Sequence, residues 1–410
     1  MGQNGRLSAW YFWYFAFIGA FLPYFALYLQ SIGLSAGRIA VLMSLGQFMR
    51  LLAPLLWSWL ADSGGRRVRI VVASTAAALA SFSVVFLTQE FVGLLIGMAI
   101  LHFFWSASLP LVEALTLGHL AAHPERYGRI RLWGSVGFIV TVMGVGFLLD
   151  SAPIRSQLWV SWFLLLGTLL SALTLTEAKQ NAGQVAGPIL DVLRQRKVVF
   201  LLAAGLFMTA AHGALYVFYS IHLVAQGYGK SLVGVLWTLG VVAEIVVFLL
   251  MQRISLRVSM RQILLACFAL AAVRFMLIGW AVEFISLLVF AQLLHGASFG
   301  AHHAATMAAL NRWFVAGQQA RAQALYGSTA YGAGGLGGAL LAGALWESAG
   351  PGITFSAASV LALIGLILVW RGVPGDSFGT DGNKGLLSFW PSPRAHQHRL
   401  APAHPQQLVR

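Results

Sequence analysis

Leu236-Trp237-Thr238-Leu239-Gly240-Val241-Val242-Ala243-Glu244 is the stretch on which the fold of this 410-residue chain turns. It places an acid in the middle of an apolar run, 232 to 252, long enough to cross about 30 Å of hydrocarbon at about 1.5 Å per helical residue. The run has a counterpart. Leu42-Met43-Ser44-Leu45-Gly46 repeats the Leu236 to Gly240 pattern at an offset of 194, and Gly19-Ala20 matches Gly213-Ala214 at the same offset. Leu132-Trp133-Gly134-Ser135 aligns with Leu325-Tyr326-Gly327-Ser328 at an offset of 193, with His102 and His295 each 32 residues before its Gly-Ser pair. Offsets that agree within one residue over such separated stretches mark an internal duplication.

Outward from these stretches, apolar runs recur along the chain. They predict helices at roughly 8–30, 37–61, 68–88, 91–120, 131–149, 157–176, 197–225, 232–252, 262–280, 284–310, 324–346 and 353–371. Lipid offers no partner for a bare N–H or C=O, and the runs lack the alternation of a membrane strand, so each is read as a helix. The expected fold class is an all-α membrane protein with twelve transmembrane helices in two six-helix repeats. The domains would be an amino-terminal bundle (1–176), a cytoplasmic linker (177–196) containing Gly183, Gly187 and Pro188, a carboxy-terminal bundle (197–371) and a disordered cytoplasmic tail (372–410). The first run follows a single basic residue, Arg6, and continues without a small-residue cleavage site, so it is expected to be a retained helix.

Composition agrees: 59% of residues are apolar and 9% charged, against about 45–50% and about 25% in soluble domains. A net charge of +14 suggests nucleic acid in a soluble protein, but here the charge follows topology. With the amino terminus inside, 21 of 26 Lys and Arg fall on the cytoplasmic side, and only Arg38, Arg155 and Lys230 lie outside. The expected location is a bacterial inner membrane with both termini cytoplasmic, and no nucleic-acid partner is expected. The single cysteine, Cys267, excludes an intramolecular disulfide and reads as packing.

Two six-helix repeats of like orientation resemble the major facilitator superfamily. Leu60-Ala61-Asp62-Ser63-Gly64-Gly65-Arg66-Arg67 resembles its first-loop signature, with Ser58 where glycine is usual. More narrowly, the chain resembles the 3-phenylpropionic acid transporter family. Tyr127 to Ser135, Leu236 to Glu244, Leu294-His295-Gly296 and Gln323 to Tyr326 carry that likeness. The resemblance implies proton-coupled uptake of an aromatic or other small carboxylate. It also implies a site between the halves lined by helices 1, 4, 7 and 10, and a gating role for Asp62, Arg66 and Arg67. A topological anchor set by positive charge is the plainer reading of that loop.

Arg50, Glu113, Glu244 and Arg274 lie within predicted spans, where each charge costs at least ~2.5 kcal/mol near the membrane centre. Such charges mark either a substrate and ion pathway or a permanent ion pair. Arg50 and Glu244 occupy equivalent positions in the two repeats, a fixed cation facing a titratable acid. Arg50 is expected to bind a substrate carboxylate through two parallel hydrogen bonds, and Glu244 to carry the proton. Glu113 is the competing proton carrier, or pairs with an arginine of the following loop. Arg274 is expected to be a structural partner in an ion pair, conceivably with Glu244.

Helical spacing supplies further lining residues. His102, Ser106 and Glu113 share a face; so do His212, Tyr216 and Tyr219, and His295, Phe299, His302 and Thr306. Each histidine reads equally well as an interhelical hydrogen-bonding residue. Tyr24 and Trp237 offer rings for stacking, or interfacial anchoring. Gly229-Lys230-Ser231 is no phosphate loop, because Val224 stands where its first glycine belongs; Gly332, Gly334 and Gly337 lie inside a span with no strand before them. His302-His303 lacks metal-centre spacing.

The expectation is therefore a proton-driven monomeric importer of a small carboxylate with no cofactor or metal. The rivals are a sugar or nucleoside symporter and, from another class, a membrane-embedded enzyme using the intramembrane histidines, for which neither clustered ligands nor a nucleophile beside a base is found. Export is the same machine run down another gradient.

Overall fold

The computed structural model describes residues 2–64, 66–178, 189–315 and 317–375. The first six helices are α1 Gln3–Ser31, α2 Ala36–Gly64, α3 Arg67–Phe82, α4 Phe91–His119, α5 Tyr127–Ser151 and α6 Ser156–Ala172. A single helical turn, Leu190–Leu193, precedes α7 Arg196–Ala225, α8 Lys230–Ser255 and α9 Met260–Trp280. Helix α10 is composite: Ile285–His295 and Ala301–Trp313 flank a π-helical segment, Gly296–Gly300. A second π segment, Gly327–Gly334, interrupts the continuous run Gln319–Gly372. Gly350 (φ 81°, ψ 175°) turns that run before Pro351, giving α11 (319–349) and α12 (351–372).

Ten of these stretches are long and apolar enough to cross a membrane; dividing the 54-residue run at Gly350 and adding the 17-residue α6 gives the twelve expected spans. The duplication reappears in backbone detail. Gly33 and Gly227, 194 residues apart, both adopt positive φ and end α1 and α7 in the same Schellman turn. Leu34 N–H donates to the Leu29 carbonyl, and Tyr228 N–H to the Leu223 carbonyl.

Within the first half α1 packs on α5 and α6, and α4 on α2 and α3; within the second α7 packs on α11 and α12, α9 on α12, and α8 on α10. Lipid supplies no hydrophobic drive between helices, so close approach depends on small residues. A Cβ on Gly338 of α11 would stand 2.0 Å from the Ala210 carbonyl oxygen of α7, and one on Gly213 would meet Gly338 at 2.3 Å.

The halves meet along a seam where α2 packs on α11, α5 on α8, and α1 on α7. At the end bearing the links that the charge pattern assigns to the outside, two carboxylates bridge it. Asp150, ending α5, accepts the backbone N–H groups of Lys230 (2.7 Å) and Ser231 (3.3 Å), which open α8. Glu347, near the end of α11, accepts the N–H of Ala36 (2.9 Å), which opens α2. Each acid thus caps a helix of the opposite half, where orphan N–H groups and the helix dipole favour negative charge. Tyr24 adds a third link, its hydroxyl donating to the Val142 carbonyl (2.6 Å) and reaching the Lys230 carbonyl (3.3 Å).

A cap contributes about 1 kcal/mol, so Asp150→Ala with Glu347→Ala is expected to shift the balance away from this outer-packed arrangement by roughly tenfold or more. Spin labels at Ser151 and Gln226, both exposed at this end, should then report a larger long-distance population; an unchanged distribution would show that the caps do not hold the seam.

Candidate functional site

Arg50 lies midway along α2, on the side facing α11. Its guanidinium carbon sits 5.7 Å from the centroid of the Tyr331 ring, and its carbonyl oxygen accepts a long bond (3.4 Å) from Ser328. Among the described residues no carboxylate bonds to it. Its charge is felt by His102, Tyr14, Tyr216 and Tyr331, drawn from α4, α1, α7 and α11. Ring contacts connect it to Glu244: Tyr331 meets Phe299 at 6.3 Å, Phe299 stacks on His295 at 5.4 Å, and His295 stands 4.0 Å from the Glu244 carboxylate. The cation and acid expected from equivalent positions thus converge on one aromatic patch at the seam.

Glu244 is seated by glycine. The two helices cross so closely that a Cβ on Gly296 would fall 2.3 Å from the Ala243 carbonyl, and one on Gly300 would fall 2.9 Å from the Glu244 side chain. Both glycines bound the π segment of α10. Its carboxylate stands 4.0 Å from Nε2 of His295, whose ring stacks on Phe299 at 5.4 Å. The Glu244 side chain keeps 24% exposure and that of His295 11%, so the pair is sheltered but reachable.

Arg274 does not form the expected ion pair, with Glu244 or any other acid among the described residues. It is 1% exposed and donates from Nε to the Ala291 carbonyl (3.0 Å), from Nη2 to Gln292 Oε1 (3.2 Å) and from Nη1 to His212 Nε2 (3.3 Å). Neutral acceptors surround it because Arg274 meets α10 at Ala291 and Gln292, whereas Glu244 meets that helix farther along, at His295 and Gly300. His212 completes the set, its Nδ1 donating to the Met208 carbonyl at 2.8 Å. Both ring nitrogens are therefore engaged inside the second half, which sets the neutral tautomer with the proton on Nδ1.

Glu113 pairs with Arg131 of α5 at 3.9 Å, both side chains about one-third exposed. The Arg131 guanidinium lies over the Phe15 ring at 4.0 Å and near Tyr11 at 5.5 Å. His102 packs against Gly46 of α2, and its Nε2 is buried with no protein partner among the described residues. Trp237 donates from Nε1 to Ser220 (3.2 Å) and lies near parallel to Tyr216 at 6.2 Å, with Tyr219 edge-on at 6.0 Å. Tyr24 spends its hydroxyl at the outer link, and His302 is buried edge-on to Phe268 of α9. These two residues sit apart from the Arg50 to Glu244 patch.

In the link between α2 and α3, for which a gating role is expected, the Asp62 side chain lies outside the described residues. Arg66 is exposed ahead of α3 and Arg67 opens it; the N–H of Val68 is capped by Glu177, 2.8 Å away. Among the described residues no three His, Cys, Asp or Glu side chains are grouped to hold a metal ion.

Two rings escaped the sequence reading: Tyr14 stacks face to face on Trp105 at 4.3 Å, and Tyr331 lies under Arg50. The arginine expected to pair with Glu113 is Arg131, in the first turns of α5.

The MFS_1 like family model matches residues 5–357. The probable 3-phenylpropionic acid transporter of Escherichia coli (strain K12) is 31% identical over 370 residues, covering 88% of this chain and 94% of that protein. Maltose permease of Geobacillus stearothermophilus is 35% identical over 142 residues, 34% of this chain and 36% of that one. Among solved structures, the nucleoside transporter NupG superposes with a TM-score of 0.77 at 16% identity, over 90% of this chain and 98% of its own. A bacterial homologue of the human lysosomal transporter Spinster gives 0.66 at 14% identity, over 95% and 98%.

Proposed function

The chain belongs to the MFS_1 like family of transporters, and on that premise we propose that it carries a small aromatic carboxylate together with a proton, by alternating access, across a bacterial inner membrane with both termini in the cytoplasm. One observation carries the substrate reading: Arg50 is a fixed cation at the seam with no carboxylate partner among the described residues, held against an aromatic ring. An uncompensated guanidinium at membrane depth is costly, and a substrate anion relieves that cost with two charge-assisted hydrogen bonds. The rings of Tyr216 and Trp237, near parallel at 6.2 Å, offer the apolar body of such a substrate stacking surfaces. The name of the Escherichia coli relative, a probable 3-phenylpropionic acid transporter, supports the same class.

Glu244 is the proton carrier in this reading. It sits on the opposite repeat at the position equivalent to Arg50, sheltered beside His295, with no Lys or Arg paired to it among the described residues. Substrate on Arg50 and proton on Glu244 together neutralise the seam, letting the halves rock about it. The experiment is uptake of labelled 3-phenylpropionate, benzoate, lactose and uridine into proteoliposomes, with and without an imposed pH gradient. Accumulation of the aromatic acids that needs the gradient is expected. Gradient-driven uptake of lactose or uridine, with neither acid moved, would replace the carboxylate reading by a sugar or nucleoside symporter.

A further inference from the structure

We propose that Tyr331 is a positioning residue for the carboxylate site: its ring, anchored by His303, holds the Arg50 guanidinium of the opposite half in the orientation that receives the substrate. This rests on the reading of Arg50 as the carboxylate anchor and adds a residue to it. Four observations converge on Tyr331.

The ring is held on three sides by its own half. Tyr326 meets it edge-on at 5.9 Å and Phe299 at 6.3 Å, while Nδ1 of His303 is 3.0 Å from its hydroxyl. An aromatic side chain boxed in this way has little freedom to turn. The remaining contact is with the other half: Arg50 stands over the ring, 5.7 Å from its centroid. A guanidinium stacked on a ring face keeps its planar fork of donors directed outward along its edge, which is the geometry bidentate carboxylate binding uses.

The backbone supports the same assignment. Tyr331 lies within the π-helical segment Gly327–Gly334, and a wider turn rotates later side chains relative to a regular helix. Gly332 and Gly335 let α2 approach, since a Cβ at either would fall 2.7 Å from Leu51 or Gln47, the neighbours of Arg50 along α2. Small residues beside Tyr331 thus bring the chain bearing Arg50 down onto the ring. His303 in turn ties the arrangement to α10, the helix that seats Glu244.

The contact crosses the seam on which the halves move, so it is made or broken as they rock. Arg50 is thereby oriented in one arrangement and released in another, which links carboxylate affinity to the conformational cycle.

The test compares KM and Vmax for 3-phenylpropionate exchange in proteoliposomes for wild type, Tyr331→Leu, Tyr331→Phe, His303→Ala and Arg50→Ala. Binding of the neutral amide 3-phenylpropionamide is measured in parallel. Tyr331→Leu is expected to raise KM about three- to fivefold with Vmax within twofold, as loss of a cation–π contact at an exposed guanidinium implies. Tyr331→Phe keeps the ring face and should restore most of the affinity; His303→Ala should match it. Binding of the amide should not change in any of them, whereas a merely structural defect lowers Vmax and weakens acid and amide alike. Should Tyr331→Leu not yield folded protein, Tyr331→Met, closer in volume, carries the same comparison. A KM within twofold of wild type for Tyr331→Leu, while Arg50→Ala is strongly impaired, overturns the positioning role alone. Normal KM in Arg50→Ala overturns the carboxylate-anchor reading and this inference with it.

Discussion

Arg50→Ala is expected to raise the KM for 3-phenylpropionate by about 10- to 150-fold, because hydrogen bonds to a charged group contribute about 1.5–3 kcal/mol, and Arg274, the buried guanidinium of the second half, spends its donors on Ala291, Gln292 and His212. The effect should be confined to the carboxylate. A neutral amide of the same shape gains nothing from the fork, so its weak binding should be unaltered. Arg50→Lys should fall between wild type and alanine: the charge survives, but an ammonium is a point donor and cannot present two parallel N–H groups. Removing the guanidinium also relieves the seam of an uncompensated charge, so the alanine variant should be no less stable in detergent. A KM within about threefold of wild type would move the anion site elsewhere.

Glu244→Gln is expected to abolish uphill transport while leaving exchange intact. With one proton per substrate anion, a gradient of one pH unit supports about tenfold accumulation, and the glutamine variant should reach only equality across the membrane. A glutamine keeps the shape of the side chain against Gly296 and Gly300 and can still face His295, but it has no proton to take up or release. Substrate-for-substrate exchange never requires the empty, deprotonated carrier to reorient, so it continues. Counterflow and gradient-driven uptake measured on one preparation separate the two. If Glu244→Gln accumulates normally and Glu113→Gln does not, the proton belongs to the Glu113–Arg131 pair in the first half.

The fold was legible because its signals are local. The twelve runs and their repeat offset appear in the described helices, with differences confined to their ends, to the π segment within α10 and to the joined α11 and α12. The site was legible only in part. Arg50 and Glu244 stood out as costly charges at equivalent positions, and the structure links them through Tyr331, Phe299 and His295. Arg274 stood out for the same reason, but charge cost alone does not reveal that its partners are a carbonyl, an amide and a neutral imidazole. Tyr331 carried no cost signal, being one aromatic residue among many.

What the sequence determined by itself was the number and length of the spans, their duplication, and which residues could not rest in lipid without compensation. Each follows from transfer of a segment out of water, a property nearly additive along the chain. The tertiary structure decided who compensates whom. Asp150 and Glu347 cap helices of the opposite half, His212 serves Arg274, and two π segments alter the facing of α10 and α11 so that Gly300 meets Glu244 and Tyr331 meets Arg50. Those pairings depend on helix rotation and close backbone approach between residues from 62 to 311 positions apart in hydrogen-bonded pairs, where packing between surfaces, and not spacing along the chain, selects the neighbour.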